Sequence, residues 1–179
     1  GAGKYEHGDT IDISSVPNVG YHFVIWSDGD KNAERKIVVK SDLNLTAETA
    51  INVYTVSLSA SNGVVTGTGK YEHGDTVVIS VTPNEGYHFI KWSDGDVSME
   101  RRFIIVSNLS LKAEIAINVY KLNLLVENGI VVGAGEYNHG RNVYVRAYPD
   151  YGYHFVRWSD GVEEVSRYVR LISDSTITA

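Results

Sequence analysis

The six histidines occupy only two positions of a repeating pattern, which makes them the first candidates for metal ligands. One set precedes a glycine and the other lies between aromatic residues: His7, His73 and His139, then His22, His88 and His154. Two imidazoles and a carboxylate such as that of Asp75 could form a Zn²⁺ site. The third copy of the pattern has Arg141 in place of Asp75, and its positive charge opposes metal binding. We therefore expect structural histidines, no metal site and no cofactor.

Aspartates around a turn glycine are the second candidate, for calcium. Asp28 and Asp30 flank Gly29, but Ca²⁺ collects about six to eight oxygen ligands, and further regular acidic positions are lacking. The third copy has Val162 where Asp30 stands. We expect plain turns, with Arg35, seven residues after Asp28, forming an ion pair or stacking on a nearby tryptophan.

Ser27, His22 and Asp28 have the side chains of a hydrolytic triad. The serine lies in a turn beside its own aspartate, and no separate oxyanion motif accompanies it, so the fit to nucleophilic catalysis is poor. The sequence predicts no catalytic residues and a protein that is not an enzyme.

An aromatic and basic set in the third copy is the remaining candidate, for ligand binding. Tyr144, Arg146 and Tyr148 lie on the outward face of a predicted strand, with Tyr151 nearby. Tyrosine and arginine are typical of binding surfaces and can stack on sugar rings. The first two copies have other residues at these positions, so the patch is specific to the third copy. The alternative is cross-strand packing against a neighbouring module.

The composition narrows the class of partner. The chain has a formal net charge of −6, without a cluster of Lys and Arg, so binding to nucleic acid or to anionic membranes is not expected. It has no cysteine, which excludes disulfides and thiolate sites. No apolar run approaches the roughly 18 residues that cross a bilayer, so we expect no direct membrane insertion. A protein or a glycan remains as a partner, if there is one.

The chain consists of three copies of one unit. Equivalent tryptophans fall 66 residues apart, with no insertion between copies. The residues kept in all copies are mostly aromatic residues and turn formers, which are folding requirements first. We expect the following to form the core and turns: Trp26, Trp92, Trp158, Tyr21, Tyr87, Tyr153, Phe23, Phe89, Phe155, Asp28, Asp94, Asp160, Gly29, Gly95 and Gly161.

Apolar residues at every second position predict strands with one buried face. Val77, Ile79 and Val81 show this alternation, and Val143 and Val145 repeat it in the third copy. No segment has a convincing amphipathic helical pattern. The sequence therefore predicts a mainly β fold.

A second predicted strand covers 87–92 and ends just before Asp94-Gly, a dipeptide that favours a hairpin. We expect the return strand at 103–106. Phe89 and Trp92 cannot share one face of a regular strand, so this strand should contain a bulge or a twist.

The buried face changes parity between Val119 and Leu122, and this change marks a module boundary. On this phasing the modules are 1–52, 53–118 and 119–179, the last truncated at its final strand. No Pro or Gly/Ser linker separates them, so we expect a stiff, elongated array.

The first module lacks a strand matching 56–65 of the second. The missing strand would leave an open sheet edge, and open edges invite pairing with another chain. We therefore expect edge-strand self-association.

An ordered set of short motifs recurs three times and covers essentially the whole chain. In the second copy the set consists of Gly67, Gly69, Tyr71 and Gly74, then Pro83, Gly86, Tyr87, Phe89, Trp92, Ser93, Asp94 and Gly95, then Leu111 and Ala113. The set resembles the divergent internalin B-repeat family of bacterial cell-surface proteins.

The resemblance implies a compact module that is mainly β, or α+β of the β-grasp kind with at most a short helix. It brings no catalytic residues with it. It also implies a secreted or cell-surface protein in which the repeats act as an extracellular structural or adhesion segment, a spacer or stalk. The alternative is a carbohydrate- or host-protein-binding module.

Overall fold

The computed structural model describes residues 2–179, and within that range the chain forms seventeen β-strands and no helix. In chain order the strands are β1 Thr10–Ser14, β2 Tyr21–Trp26, β3 Glu34–Val38, β4 Ala47–Ile51, β5 Val53–Ala60, β6 Gly63–Thr66, β7 Gly69–Glu72, β8 Thr76–Pro83, β9 Tyr87–Trp92, β10 Glu100–Ile104, β11 Leu109–Ile117, β12 Val119–Leu125, β13 Gly129–Val132, β14 Gly135–Asn138, β15 Arg141–Pro149, β16 Ser166–Leu171 and β17 Ser175–Thr178.

The strands form six small sheets. Their strand orders are β1-β3, β2-β4, β10-β8-β6, β7-β5-β11-β9, β14-β12-β17 and β13-β15-β16. The prediction of a mainly β fold is confirmed, and the short helix that a β-grasp module would allow is absent from residues 2–179. The same range contains no helix long and apolar enough to cross a membrane.

The chain divides into two compact units, and the line between them falls inside the second repeat. The first unit runs to Leu58 and adds Thr66–Ser80 and Glu100–Leu111. The second unit comprises Ser59–Val65, Val81–Met99 and Lys112–Ala179. The third repeat therefore lies wholly within the second unit.

The third repeat buries its core between two sheets. In one sheet β12 pairs antiparallel with β14 and parallel with β17. In the other, β15 is the central strand and pairs antiparallel with β13 and β16. Side chains from both sheets form one cluster with Trp158, which belongs to neither sheet; the other members are Leu122, Val143, Val145, Ala147, Leu171 and Ile177. The alternation predicted for β15 is confirmed, since Val143, Val145 and Ala147 are buried and the residues between them are exposed.

The bulge predicted for the strand before the tryptophan is confirmed. In the first repeat the ladder of β2 and β4 shifts register between Phe23 and Ile25, so Val24 has no partner in β4. The extra residue restores the face of the following side chains. As a result the rings of Phe23 and Trp26 lie 5.6 Å apart, centroid to centroid.

The predicted hairpin across Asp94-Gly is wrong. β9 pairs with β11, whereas β10, which overlaps the expected return strand at 103–106, pairs with β8 in another sheet. The Asp-Gly segment does form a tight turn, in which Gly95 N donates to Trp92 O at 2.8 Å. The turn carries the chain from β9, which pairs with β11, to β10, which pairs with β8 in another sheet.

The third repeat forms no strand over 153–158, where the first two repeats have β2 and β9. In the second repeat, β9 is held by the ladder from Ala113 to Ile117. The matching residues of the third repeat begin at Ala179, so that ladder is not available within residues 2–179.

Candidate functional site

Each tryptophan is anchored in its repeat by its indole N–H. Trp26 Nε1 donates to the carbonyl of Asn32, Trp92 Nε1 to that of Ser98 and Trp158 Nε1 to that of Glu164, at 2.8, 2.9 and 2.9 Å. All three side chains are buried, and each ring contacts the phenylalanine three residues earlier, Phe23, Phe89 or Phe155. The tryptophan thus closes the turn that follows it as well as filling the core.

The tyrosines placed in the core by the sequence are not all buried. Tyr21 is 46% exposed and Tyr153 is 59% exposed, whereas Tyr87 is half-buried. The assignment of Tyr21 and Tyr153 to the core is therefore corrected. Phe23 and Phe155, and not these tyrosines, have their rings in contact with the tryptophan.

The aspartate turn after the tryptophan is closed by an arginine. Arg35 Nη2 donates to Asp28 Oδ2 at 2.6 Å, and Arg35 Nη1 lies 2.9 Å from Asp30 Oδ2. The guanidinium also lies 5.6 Å from the centroid of Trp26. The hydrogen bond from Arg35 lowers the pKa of Asp28 below its ordinary value. Both carboxylates therefore already have a positively charged partner within the protein, the guanidinium of Arg35.

The third repeat has the same arrangement. Arg167 Nη2 donates to Asp160, and its guanidinium lies 5.8 Å from the centroid of Trp158. Burial raises the pKa of Asp160, but the hydrogen bond and charge of Arg167 outweigh it, and the net shift is downward. Gly161 N donates to Trp158 O at 2.9 Å and completes the turn.

A contact that occurs at both junctions between repeats involves four of the six histidines, and it is described first at the junction of the first and second repeats. We call Gly20, His22, Asn52, Tyr54 and His73 the first joint. Asn52 N donates to Gly20 O at 2.7 Å, and His73 N donates to Asn52 O at 2.8 Å. The Asn52 side chain bonds His22 Nδ1 at 2.8 Å through Oδ1 and donates to the Tyr54 hydroxyl at 3.4 Å. One asparagine therefore connects both repeats through its backbone and its side chain.

The second and third repeats meet in the same way, at Gly86, His88, Asn118, Tyr120 and His139, the second joint. Asn118 N donates to Gly86 O and His139 N donates to Asn118 O, both at 2.8 Å. His88 Nδ1 bonds Asn118 Oδ1 at 2.7 Å, and Asn118 Nδ2 donates to the Tyr120 hydroxyl at 3.2 Å. The two joints agree within 0.2 Å in every one of these distances.

A contact between two aromatic rings and a close contact with a glycine complete each joint. The rings of Tyr54 and His73 lie 6.0 Å apart, and those of Tyr120 and His139 lie 5.9 Å apart. Both histidine rings cover a glycine of the preceding repeat so closely that a Cβ there would overlap the imidazole. Sequence reasoning missed the asparagines and these tyrosines, although Asn-Val-Tyr recurs at 52–54 and 118–120 and marks them.

The residues considered for zinc are engaged elsewhere. The Asp9 and Asp75 carboxylates each accept the backbone N–H of the residue three positions earlier, at 2.8 Å. The backbone N–H of His73 donates to Asn52 O and its ring contacts Tyr54, both within the first joint. Within residues 2–179 there is no group of three His, Asp or Glu side chains placed to hold a metal ion.

Ser27 and His22 are each hydrogen-bonded to a different residue, and not as the pair that a catalytic triad requires. Ser27 Oγ accepts the backbone N–H of Thr46 at 3.1 Å, whereas His22 Nδ1 bonds Asn52. Thr46 O in turn accepts the backbone N–H of Ser27 at 2.8 Å. Two hydrogen bonds therefore join Ser27 to Thr46, the residue before β4.

The residues that the sequence suggested for ligand binding lie on the exposed face of β15 or, for Tyr151, just after its end. Tyr144 and Tyr148 are each somewhat over 40% exposed, and Tyr151 is fully exposed. The Arg146 guanidinium lies 4.8 Å from the centroid of Tyr148. A hydrogen bond with Ser166, assisted by Arg146, lowers the pKa of the Tyr144 phenol.

The structure adds Tyr168 to this patch. It is directly opposite Tyr144 in the ladder of β15 and β16, with the two rings 5.5 Å apart, and it is 71% exposed. Sequence reasoning missed Tyr168 because it required the register of β16 against β15. We call Tyr144, Arg146, Tyr148, Tyr151 and Tyr168 the tyrosine patch.

Comparison with known families matches the chain three times. The Divergent InlB B-repeat domain matches residues 1–52, 54–114 and 121–179. Comparison with curated proteins gives no match. Three copies of this domain thus cover nearly all of the chain, and the protein belongs to the divergent InlB B-repeat family.

Proposed function

We propose that this chain is a spacer segment of a bacterial surface protein, in which B repeats are held at fixed spacing by the two joints. InlB B-repeat domains are typical of bacterial surface proteins and are usually non-catalytic. The proposal keeps modules at 1–52, 53–118 and 119–179, and it places the protein outside the cytoplasm, secreted or on the cell surface.

The observation that carries the proposal is the identity of the two joints. Each uses the same four residue types at five matching positions, and each ties the end of one repeat to the next through backbone and side-chain hydrogen bonds. A flexible linker would allow a broad range of inter-repeat distances, whereas a joint of several simultaneous contacts restricts bending. Restricted bending is what a stalk requires.

A distance measurement tests this proposal. Because the chain has no cysteine, spin labels can be placed at Lys112→Cys and Glu163→Cys, two exposed positions on either side of the second joint. We expect a narrow distance distribution by pulsed electron resonance, and a broader one when Asn118→Ala is added. A broad distribution in the chain with an intact joint would contradict a spacer function.

The tyrosine patch supports a second function, binding of a carbohydrate or a host protein. Exposed stacked tyrosines beside an arginine are typical of such surfaces, and the patch has no counterpart in the first two repeats. Glycan-array and pull-down binding should be lost in Tyr144→Ala combined with Tyr148→Ala. Val78→Ala combined with Thr82→Ala, at the matching positions of the second repeat, is the control. Binding that survives the tyrosine changes would reject the patch as a site.

A further inference from the structure

Two arginines on the outer face of the sheet formed by β13, β15 and β16 have no carboxylate partner. Arg146 lies in the central strand β15, and Arg170 lies in β16, directly opposite Asn142. Both arginines are exposed, and no salt bridge joins either of them to an Asp or Glu within residues 2–179. Arg35 and Arg167, in contrast, are each paired with an aspartate. The charges of Arg146 and Arg170 are therefore available to a ligand.

The strands of this face carry no negative charge. Outward-facing residues alternate along β15 from Asn142 to Tyr148, and the residues opposite them in β13 and β16 share the same side of the sheet. None of these residues is Asp or Glu. The face is thus locally basic, although the whole chain has a net charge of −6.

The same face is not basic in the first two repeats. In the first repeat its charged residues are Asp12, Glu34 and Lys36, and Lys36 Nζ lies 3.0 Å from Asp12 Oδ1. In the second repeat the charges of Glu100 and Arg102 cancel. The basic character of the face is therefore specific to the third repeat, as are the tyrosines of the tyrosine patch.

Ser166 is central to this difference in charge. It stands where the first two repeats have Glu34 and Glu100, and it lies directly opposite Arg146 in the ladder of β15 and β16. A glutamate at this position would face Arg146 at the distance where opposite charges pair across strands. The serine hydrogen-bonds to the phenol of Tyr144 instead, and Arg146 is left without a carboxylate.

Aromatic rings and positive charge alternate along the central strand. Tyr144, Arg146 and Tyr148 occupy every second position of β15, so neighbouring side chains are about 7 Å apart along the strand. The Arg146 guanidinium lies 4.8 Å from the ring centroid of Tyr148. On the other side of Arg146, the ring of Tyr168 contacts that of Tyr144. A ligand that matches this row must itself alternate apolar rings with acid groups.

We propose that this face binds an acidic polysaccharide, whose sugar rings pack on the tyrosines while its acid groups bind Arg146 and Arg170. A linear chain of acidic sugars repeats a ring with an apolar C–H face and a carboxylate or sulfate group along its length, in the same order as the side chains of β15. A guanidinium binds a planar acid group through two parallel hydrogen bonds. The proposal rests on the carbohydrate-binding function proposed for the tyrosine patch and narrows it to anionic sugars.

Two pairs of polymers that differ in charge test the proposal on the whole chain. Polygalacturonate is compared with its methyl ester, and dextran sulfate with dextran, each immobilised for biolayer interferometry. We expect saturable binding to polygalacturonate or to dextran sulfate and none to the two neutral polymers. The arm that binds shows whether the acid group is a carboxylate or a sulfate. Binding should weaken as the salt concentration rises, because salt screens exposed charges.

Charge variants of the two repeats supply the matched control. Arg146→Gln and Ser166→Glu should each weaken binding to the acidic polymer about tenfold, the usual effect of losing one hydrogen bond to a charged group. Arg102→Gln removes the same charge from the same face of the second repeat and should leave the affinity unchanged. Arg146 and Arg102 are exposed, and Ser166→Glu restores the residue type that the other repeats have there, so none of these changes threatens folding.

Some results would overturn the narrowing to acidic sugars and keep the carbohydrate function. These are equal binding of the acidic and neutral polymers, or binding that Tyr144→Ala combined with Tyr148→Ala abolishes while Arg146→Gln and Ser166→Glu leave it intact. Equal effects of Arg146→Gln and Arg102→Gln would show an attraction that is not localised to this face, and would also overturn it. Failure of both acidic polymers to bind would reject the inference, and a glycan array without any binding would reject the carbohydrate function itself.

Discussion

The imidazole of His73 covers the Cα of Gly20 so closely that a Cβ on this glycine would lie 2.2 Å from His73 Cδ2. His139 covers Gly86 in the same way, at 2.3 Å. No real Cβ contact is that short, so each joint admits only a glycine while the histidine ring stays in place. The glycine kept in the first two repeats is therefore a contact surface for the next repeat as well as a turn residue.

Replacement of Gly86 by alanine should disrupt the second joint. Gly86 has a φ of +79°, and its third-repeat counterpart Gly152 has a φ of +88° but nothing within 4 Å of a Cβ. Gly152→Ala should therefore cost about 1–2 kcal/mol of unfolding free energy through backbone strain alone. Gly86→Ala should cost about 1–3 kcal/mol more, because the His139 ring must move.

Urea denaturation followed by circular dichroism measures both variants. The comparison isolates the joint because residue type, position in the repeat and backbone strain are matched. Equal losses for Gly86→Ala and Gly152→Ala would show that the ring contact adds nothing to stability.

The side-chain bond between His88 and Asn118 should hold in place the asparagine through which the second joint reaches the third repeat. A double-mutant cycle with His88→Ala and Asn118→Ala should give an interaction free energy of about 0.5–1 kcal/mol, since the bond is exposed. His154→Ala is the control, because no asparagine follows at the matching distance within residues 2–179. A cycle with additive effects would mean that this hydrogen bond contributes nothing to the stability of the joint.

Local patterns predicted the parts of this structure that depend on neighbouring residues. Alternation placed the buried side of β15, and the spacing of Phe89 and Trp92 indicated the bulge. The hairpin after Trp92 failed because a turn dipeptide specifies a local bend and not which strand is paired next. β9 pairs with β11, and the strand that directly follows it, β10, pairs with β8.

The same physical reason limited what the sequence showed about the contacts of the candidate site residues. Regular spacing identified the histidines as a set, but the bonds of His22 to Asn52 and of His88 to Asn118 join residues far apart in the chain. Tyr168 joins the tyrosine patch only through the register of β16. Long-range pairing of this kind leaves no periodic signal in one sequence.

Acid should destabilise the chain through the aspartate turns. The ordinary pKa of these carboxyls is 3.8, and the pKa values of Asp28, Asp30 and Asp160 are lowered in the folded chain. The unfolded chain then takes up protons first as the pH falls. Their contribution to stability is full above pH 3.8 and is lost as the pH falls through the lower folded values.

The urea midpoint, measured between pH 6 and pH 2, should therefore fall at the acid end, and Arg35→Met should reduce the size of that fall. Lys36→Met removes the same charge from an exposed neighbour and is the control. If the urea midpoint of Arg35→Met falls at low pH by as much as that of the unsubstituted chain, the ion pair is not responsible for the loss of stability in acid.

Equivalent leucines in two repeats should differ in their contribution to stability, because a strand covers one and not the other. Leu111 is buried in the second repeat, whereas Leu45, at the same position of the first repeat, is half-buried. Leu111→Ala should cost about 2–5 kcal/mol of unfolding free energy, the usual range for a buried leucine. Leu45→Ala should cost roughly half as much, since part of its surface already contacts water. Urea denaturation gives both values, and equal losses would mean that the two leucines are equally buried in solution.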